Sequence, residues 1–146
     1  MNIIIKQMSL YDLEKMKDNL TTDFDSFWSY DLFYEELQNP RSTYLVAKYK
    51  EEIVGFGGIW RAVDEAHITN LVTKKENRQL GIASQILEKL ILLAKQESFN
   101  CITLEVRENN KAAIALYEKY NFKRIGFRKK YYNNKENAIL MTRFFG

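Results

Sequence analysis

Glu105 and Tyr117 are a carboxylate and a phenol set on either side of a polar break at Glu108-Asn109-Asn110. Such a pair can take a proton from one reacting group and give one to another. Upstream, Arg78-Gln79-Leu80-Gly81-Ile82-Ala83 puts a glycine where a polar run gives way to an apolar pattern of helical spacing. The first N–H groups of a helix lack partners and carry a partial positive charge, so an anion is favoured there. Gly81 lets a phosphate come close to the backbone, Ala83 is too small to block it, and Arg78 adds a charged donor. The stretch has neither the Gly-Lys-Ser/Thr of a Walker loop nor the three glycines of a dinucleotide fingerprint. On spacing alone it reads equally as an anion cradle or as an ordinary strand-to-helix turn.

The acid–base candidates also have plainer readings. Glu105, flanked by Leu104 and Val106, is either a solvated carboxylate paired with Arg107 or a general base acting directly or through a bridging water. Tyr117 is either a core tyrosine with a satisfied hydroxyl or a proton donor to a leaving group near the loop. His67 is the single histidine and Cys101 the single cysteine. A zinc site therefore finds no ligand set, and no metal is expected. A serine triad finds no Gly-x-Ser-x-Gly, and an intrachain disulfide cannot form. Cys101 opens an apolar run and reads as a packed core thiol.

Periodicity predicts the elements that must hold these residues. Asn2 to Lys6 is a short strand. Ser9 ahead of Leu10, Leu13 and Met16 predicts a helix that ends near Asn19. Thr21 to Ser26 is a polar loop. Phe24, Phe27, Trp28 and Tyr30 crowd the start of a second helix carrying Leu32, Phe33 and Leu37, which Pro40 stops. That aromatic cluster either packs a helix pair on a sheet or lines a substrate groove. Thr43 to Tyr49, Ile53 to Trp60 and His67 to Thr73 are strands in meander order, hence antiparallel. Gly55, Gly57 and Gly58 inside the second of these call for a bulge or a close backbone approach. A long helix follows, with Ile82, Ile86, Leu90 and Leu93 on one face. In the strand Cys101 to Arg107, Ile102, Leu104 and Val106 share one face, while Thr103, Glu105 and Arg107 share the other. His67 to Arg107 is thus a β–α–β unit with parallel strands and a right-handed crossover. Asn109 or Asn110 caps a last helix to about Tyr120, and Asn121 is a left-handed stop. Two strands, Phe122 to Tyr131 and Ala138 to Phe144, follow around a turn at Asn133-Asn134.

With 146 residues, 46% of them apolar and 28% charged, the chain suits one α/β domain, 1–146, with a mixed sheet. A net charge of +3 permits an anionic partner without pointing to nucleic acid. No run of about 18 apolar residues is present to span a membrane. Met1 to Ile5 is too short for a signal peptide, so a cytoplasmic location and no membrane partner are expected.

Taken together, these motifs resemble a known family. Arg78-Gln79-Leu80-Gly81-Ile82-Ala83 matches the Gln/Arg-x-x-Gly-x-Gly/Ala acetyl-CoA loop of the GCN5-related N-acetyltransferases (GNAT). Leu104-Glu105-Val106-Arg107, Asn110 and Ala115-Leu116-Tyr117-Glu118 look like the RimI-type branch. So do Arg128-Lys129-Lys130-Tyr131-Tyr132 and Asn137-Ala138-Ile139-Leu140-Met141. The resemblance spans nearly the whole chain; over the first sixty residues Trp28-Ser29 and the strand order carry it. Ala83 stands for the commoner second glycine, Asn121 for a glycine after the last helix, and no proline precedes Trp28.

The resemblance implies a mixed, mostly antiparallel twisted sheet of about seven strands, a central splayed parallel pair and about four flanking helices. It implies direct transfer of an acetyl group from acetyl-CoA, with no metal, to a protein N-terminal α-amine, a ribosomal N-terminal alanine above all. Glu105 would be the general base and Tyr117 the general acid. Leu71, Val72 and Thr73 would offer backbone groups to the pantetheine arm, with an N–H near Val72 for the oxyanion. Arg78, Gln79, Leu80, Gly81, Ile82, Ala83 and Ser84 would hold the pyrophosphate, and Asn110 would bond the pantetheine region. Trp28, Tyr131 and Tyr132 would line the acceptor groove. Asp23, Asp25, Asp31, Glu35 and Glu36 keep open a small amine, such as a polyamine or aminoglycoside, as acceptor. Arg128-Lys129-Lys130 and Lys135 keep open a non-catalytic ribosome-binding or acetyl-CoA-sensing module. Direct nucleic-acid contact is not expected otherwise, and the chain should be a monomer or weak dimer.

Overall fold

Layering in this protein follows from alternation along the strands. A computed structural model describes residues 2–24, 28–132 and 136–146; Asp25, Phe27 and the Asn133-Asn134 turn lie outside it, as do the side chains of Lys130, Tyr131 and Tyr132. The described residues form strands β1 (Ile4–Gln7), β2 (Ser42–Tyr49), β3 (Glu52–Arg61), β4 (Glu65–Thr73), β5 (Cys101–Arg107), β6 (Lys123–Tyr132) and β7 (Glu136–Phe144). The helices are α1 (Leu10–Met16), α2 (Tyr30–Leu37), α3 (Ile82–Gln96) and α4 (Lys111–Lys119). All seven strands make one sheet in the order β1-β2-β3-β4-β5-β7-β6. Only β4 and β5 pair in parallel; the other neighbours are antiparallel. On β2, Tyr44 and Val46 join one core while Ala47 joins the other, because successive side chains leave a strand on opposite faces. Leu13, Met16, Phe24 and Phe33 cover the first face with Ile53 and Phe56. Ile86 and Leu90 of α3 and Ile114 of α4 cover the second with Ile59, Leu104 and Met141. This is the expected mixed sheet of seven strands and four helices.

The helix ends follow local chemistry. Ser9 caps α1 through a capping box: its hydroxyl accepts from the Asp12 N–H at 3.1 Å, and the Asp12 carboxylate accepts from the Ser9 N–H at 2.9 Å. The helix closes at Met16, short of the expected Asn19. The Lys17 N–H reaches back to the Glu14 carbonyl and the Asn19 N–H to that of Met16. These tighter turns carry Leu20 into the core. Ser29 caps α2 and Asn110 caps α4. Asn121 takes φ 70° after α4, the expected left-handed stop.

The glycines of β3 answer to both a close approach and a bulge. The Tyr44 ring lies where a Cβ on Gly58 would stand. Its hydroxyl meets Thr69 Oγ1 at 2.6 Å. Gly58 pairs with Asn70 while Ile59 pairs with Ile68, so Thr69 is the extra residue of a β4 bulge. A bulge bends its strand. The parallel pairing of β4 with β5 runs from Glu65↔Cys101 to His67↔Thr103 and goes no further. The strands part where the bulge begins.

Candidate active site

A groove of about 1670 Å³ opens where β4 leaves β5. From Ile68 to Thr73 the β5-facing edge of β4 has no strand partner among the described residues, so backbone groups there are open to a ligand that adds itself as a strand. Leu71, Val72 and Thr73 all line the groove.

The glycine turn stands at one end of it. Arg78, Gln79, Gly81, Ile82, Ala83 and Ser84 line the groove, whereas Leu80 is 50% exposed and is not among the lining residues. Gly81 is the N-cap of α3 with φ 80°, and no side chain caps that helix. The first intrahelical bond runs from the Gln85 N–H to the Gly81 carbonyl. The N–H groups of Ile82, Ala83 and Ser84 therefore precede the helical ladder, and no acidic residue occupies the first turn. A Cβ built on Gly81 would meet nothing within 4 Å. Glycine is required there by the left-handed backbone, and the space in front of it is clear. Gln79 shares the positive φ, at 66°, a conformation that costs a non-glycine residue energy and is common at ligand sites. An uncapped helix N-terminus behind an open left-handed glycine suits a pyrophosphate.

The acid–base candidates come from opposite sides of the sheet. Ile102, Leu104 and Val106 face the α3–α4 core, which turns Glu105 to the other face. Its side chain is 25% exposed. Tyr117 belongs to the α4 side; it is 8% exposed, and its ring lies 5.6 Å from that of Phe122. Both residues line the groove, which passes through the gap between the strands. Asn110 lines it too, with Oδ1 accepting from the Ala113 N–H at 3.2 Å as the cap of α4. Trp28 reaches the groove while stacking edge-on against Phe33 at 5.6 Å. The aromatic cluster is therefore both core and groove wall. Tyr131 and Tyr132 cannot be placed in the same way, since their side chains lie outside the described residues.

Glu105 pairs with a different arginine from the one expected. Arg128 Nη2 of β6 lies 3.3 Å from its Oε1, while Arg107 Nε is 3.7 Å from Glu136. On a strand, Arg107 sits two residues beyond Glu105, whereas the sheet order lets Arg128 reach across β7. Trp60, Thr142 and Phe144 are groove residues that local patterns did not single out, and Arg128, marked there only as part of a basic run, is a groove residue too. Their signal is one of register between distant strands. His67 Nε2 lies 3.2 Å from Glu65 Oε2, and its ring packs edge-on against Trp60. Cys101 is buried, and burial pushes its thiol above the ordinary range, as for an unreactive core thiol. Among the described residues, no group of three His, Cys, Asp or Glu could hold a metal ion. Of the first-half carboxylates, Asp23, Asp31, Glu35 and Glu36 are not among the groove-lining residues.

Comparison with known proteins agrees with this geometry. Residues 12–122 match the profile of the acetyltransferase (GNAT) family. The chain is 34% identical over 139 residues to a Bacillus subtilis protein provisionally named a ribosomal protein bS18-alanine N-acetyltransferase, covering 94% of this chain and 92% of that one. It is 35% identical over 130 residues to an N-alpha-acetyltransferase of Saccharolobus solfataricus, covering 80% of this chain and 77% of the relative. The crystal structure of the ribosomal-protein-S18-alanine N-acetyltransferase from Escherichia coli superposes with a TM-score of 0.87 at 27% identity, over 97% of this chain and 92% of that one.

Proposed function

The chain belongs to the acetyltransferase (GNAT) family and is an acyltransferase; from that premise we propose that it carries an acetyl group from acetyl-CoA to the α-amine of a protein N-terminus. A ribosomal protein that begins with alanine is the proposed acceptor, and residues 1–146 act as one catalytic domain. The observation that carries this reading is the parting of β4 from β5 beside an uncapped glycine turn. It leaves a through-sheet groove with Glu105 and Tyr117 on its walls.

Acetyl-CoA would supply the acetyl group as a thioester. The open edge at Leu71 to Thr73 would hold the pantetheine arm, with Asn110 nearby, and the N–H groups behind Gly81 would hold the pyrophosphate together with Arg78. An α-amine has a pKa of about 8, so most of it is protonated at neutral pH. Glu105 would accept that proton, directly or through a water. The Val72 N–H would face the carbonyl oxygen, and the Tyr117 hydroxyl would hold a proton for the leaving sulfur. Trp28, with Tyr131 and Tyr132, would border the acceptor peptide. Holding donor and acceptor between two fixed strands supplies the orientation. Asp23, Asp31, Glu35 and Glu36 lie off the groove, which favours a peptide over a polyamine as acceptor.

The test is transfer from acetyl-CoA to three acceptors: a ribosomal-protein peptide beginning with alanine, the same peptide with a blocked N-terminus, and spermidine. Acetylation of the free peptide alone is the expected result. Transfer to spermidine with none to the free peptide would overturn the proposed acceptor.

A further inference from the structure

The proposed base does not face the acceptor as a bare carboxylate. Arg128 Nη2 lies 3.3 Å from Glu105 Oε1, although β7 runs between the strands that carry them. Ala138 of β7 is the register partner of both Arg107 and Arg128. It is fully buried, and its side chain is a single methyl group. The nearer cation in the chain, Arg107, is engaged with Glu136. The pairing of Glu105 with Arg128 therefore depends on the β6–β7 hairpin being docked against β5.

Taking the α-amine reading as its basis, we infer that Arg128 is a positioning residue that pairs with Glu105 and makes the site select α-amines over lysine side chains. The contact engages Oε1, so the acceptor's proton goes to Oε2. A bare carboxylate would attract every ammonium, and a lysine would dock as an ion pair without a free lone pair. With the guanidinium beside it, that attraction is largely cancelled, and the amine favoured is the one that loses its proton most easily. At pH 7 about one α-amine in ten is neutral, against about one lysine side chain in 2,500. The cost of meeting Arg128 therefore falls on lysine. The other ionisable residues on the groove wall are placed elsewhere, Arg78 among them at the glycine turn. Glu65 and His67 pair with each other at 3.2 Å, on the stretch of β4 that is still joined to β5. Arg107 is turned toward Glu136, and Tyr117 enters from the α4 side.

The experiment compares wild type, Arg128→Gln and Arg128→Lys by kcat/KM on two peptides. One has a free N-terminal alanine and no lysine. The other is blocked at its N-terminus and carries one internal lysine. Wild type and Arg128→Lys should keep the preference for the alanine peptide. Arg128→Gln should narrow it by about tenfold, the order expected of one partly screened charge at this range. An equal change on both peptides in Arg128→Gln, total loss included, overturns the inference. So does loss of the preference in Arg128→Lys, which keeps the charge. Wild-type silence on both peptides overturns the α-amine reading itself and this inference with it.

Discussion

Tyr117 is held by packing, which makes its hydroxyl separable from its ring. The ring lies 5.6 Å from Phe122 and the residue is 8% exposed. Tyr117→Phe keeps those ring contacts and removes the hydroxyl proposed as the proton donor. Turnover should fall by about 10²-fold, the ordinary yield of general acid catalysis, while acetyl-CoA affinity by calorimetry stays as it was. Turnover near wild type would take Tyr117 out of the mechanism. The elements that carry Tyr117 and Glu105 were legible in the chain, because one sits at a fixed spacing past a helix cap and the other alternates with core residues on a strand. The partner of Glu105 was not. Arg107 is its neighbour in the chain, yet Arg128 is its neighbour across the sheet, and that relation is set by strand order rather than by spacing. At Gly81 the φ of 80° and the clear space in front give the expected close approach a backbone cause.

At the level of elements, local signals carried most of the fold. Cys101–Arg107 falls where alternation put it, and Ser9, Asn110 and Asn121 cap or stop the helices expected of them. The three glycines of β3 announced a bulge or a close approach, but nothing local marked Thr69 as the bulged residue of the next strand. The insertion of β7 between β5 and β6 is likewise a matter of long-range pairing. The attachment of α1 rests on a pair that no pattern foretold. Asp12, fully buried, lies 2.8 Å from Lys48 of β2. Burial alone would raise the Asp12 carboxyl, but Lys48 and the N–H and hydroxyl of Ser9 together hold it below its ordinary value of 3.8. A carboxyl depressed on folding stabilises the fold above its unfolded pKa, and that contribution is lost as pH falls through the folded one. Asp12→Asn should therefore cost on the order of 3 kcal/mol at neutral pH, as expected when one partner of a buried pair is removed. The gap between mutant and wild type in urea melts should begin to narrow below about pH 4. A gap that stays constant from pH 7 to pH 3 would assign the cost to packing instead of charge.

Across the whole molecule, the two cores share one sheet. Tyr44 and Val46 on β2 serve the α1–α2 side and Ala47 the α3–α4 side, so neither core can melt without taking the floor from the other. Residues 1–146 should then unfold in one cooperative step. With Trp60 replaced by tyrosine, Trp28, packed on Phe33 and Tyr44, reports the first core by fluorescence, and far-ultraviolet circular dichroism reports the whole sheet. Coincident midpoints are expected; two separated transitions would divide the chain into more than one unit. The groove draws its walls from both sides of the sheet, with Trp28 and Glu105 on one and Ile82 and Tyr117 on the other. A ligand in it must therefore stabilise both cores together. At about a hundred times its dissociation constant, acetyl-CoA should add roughly 2.7 kcal/mol. For a domain of this size, that raises the midpoint by about 8 °C. The rise should be equal in the fluorescence and dichroism signals. A midpoint that does not move, together with a flat calorimetric titration, would remove acetyl-CoA as the donor. A rise in one signal alone would mean that the groove is not held between the two cores.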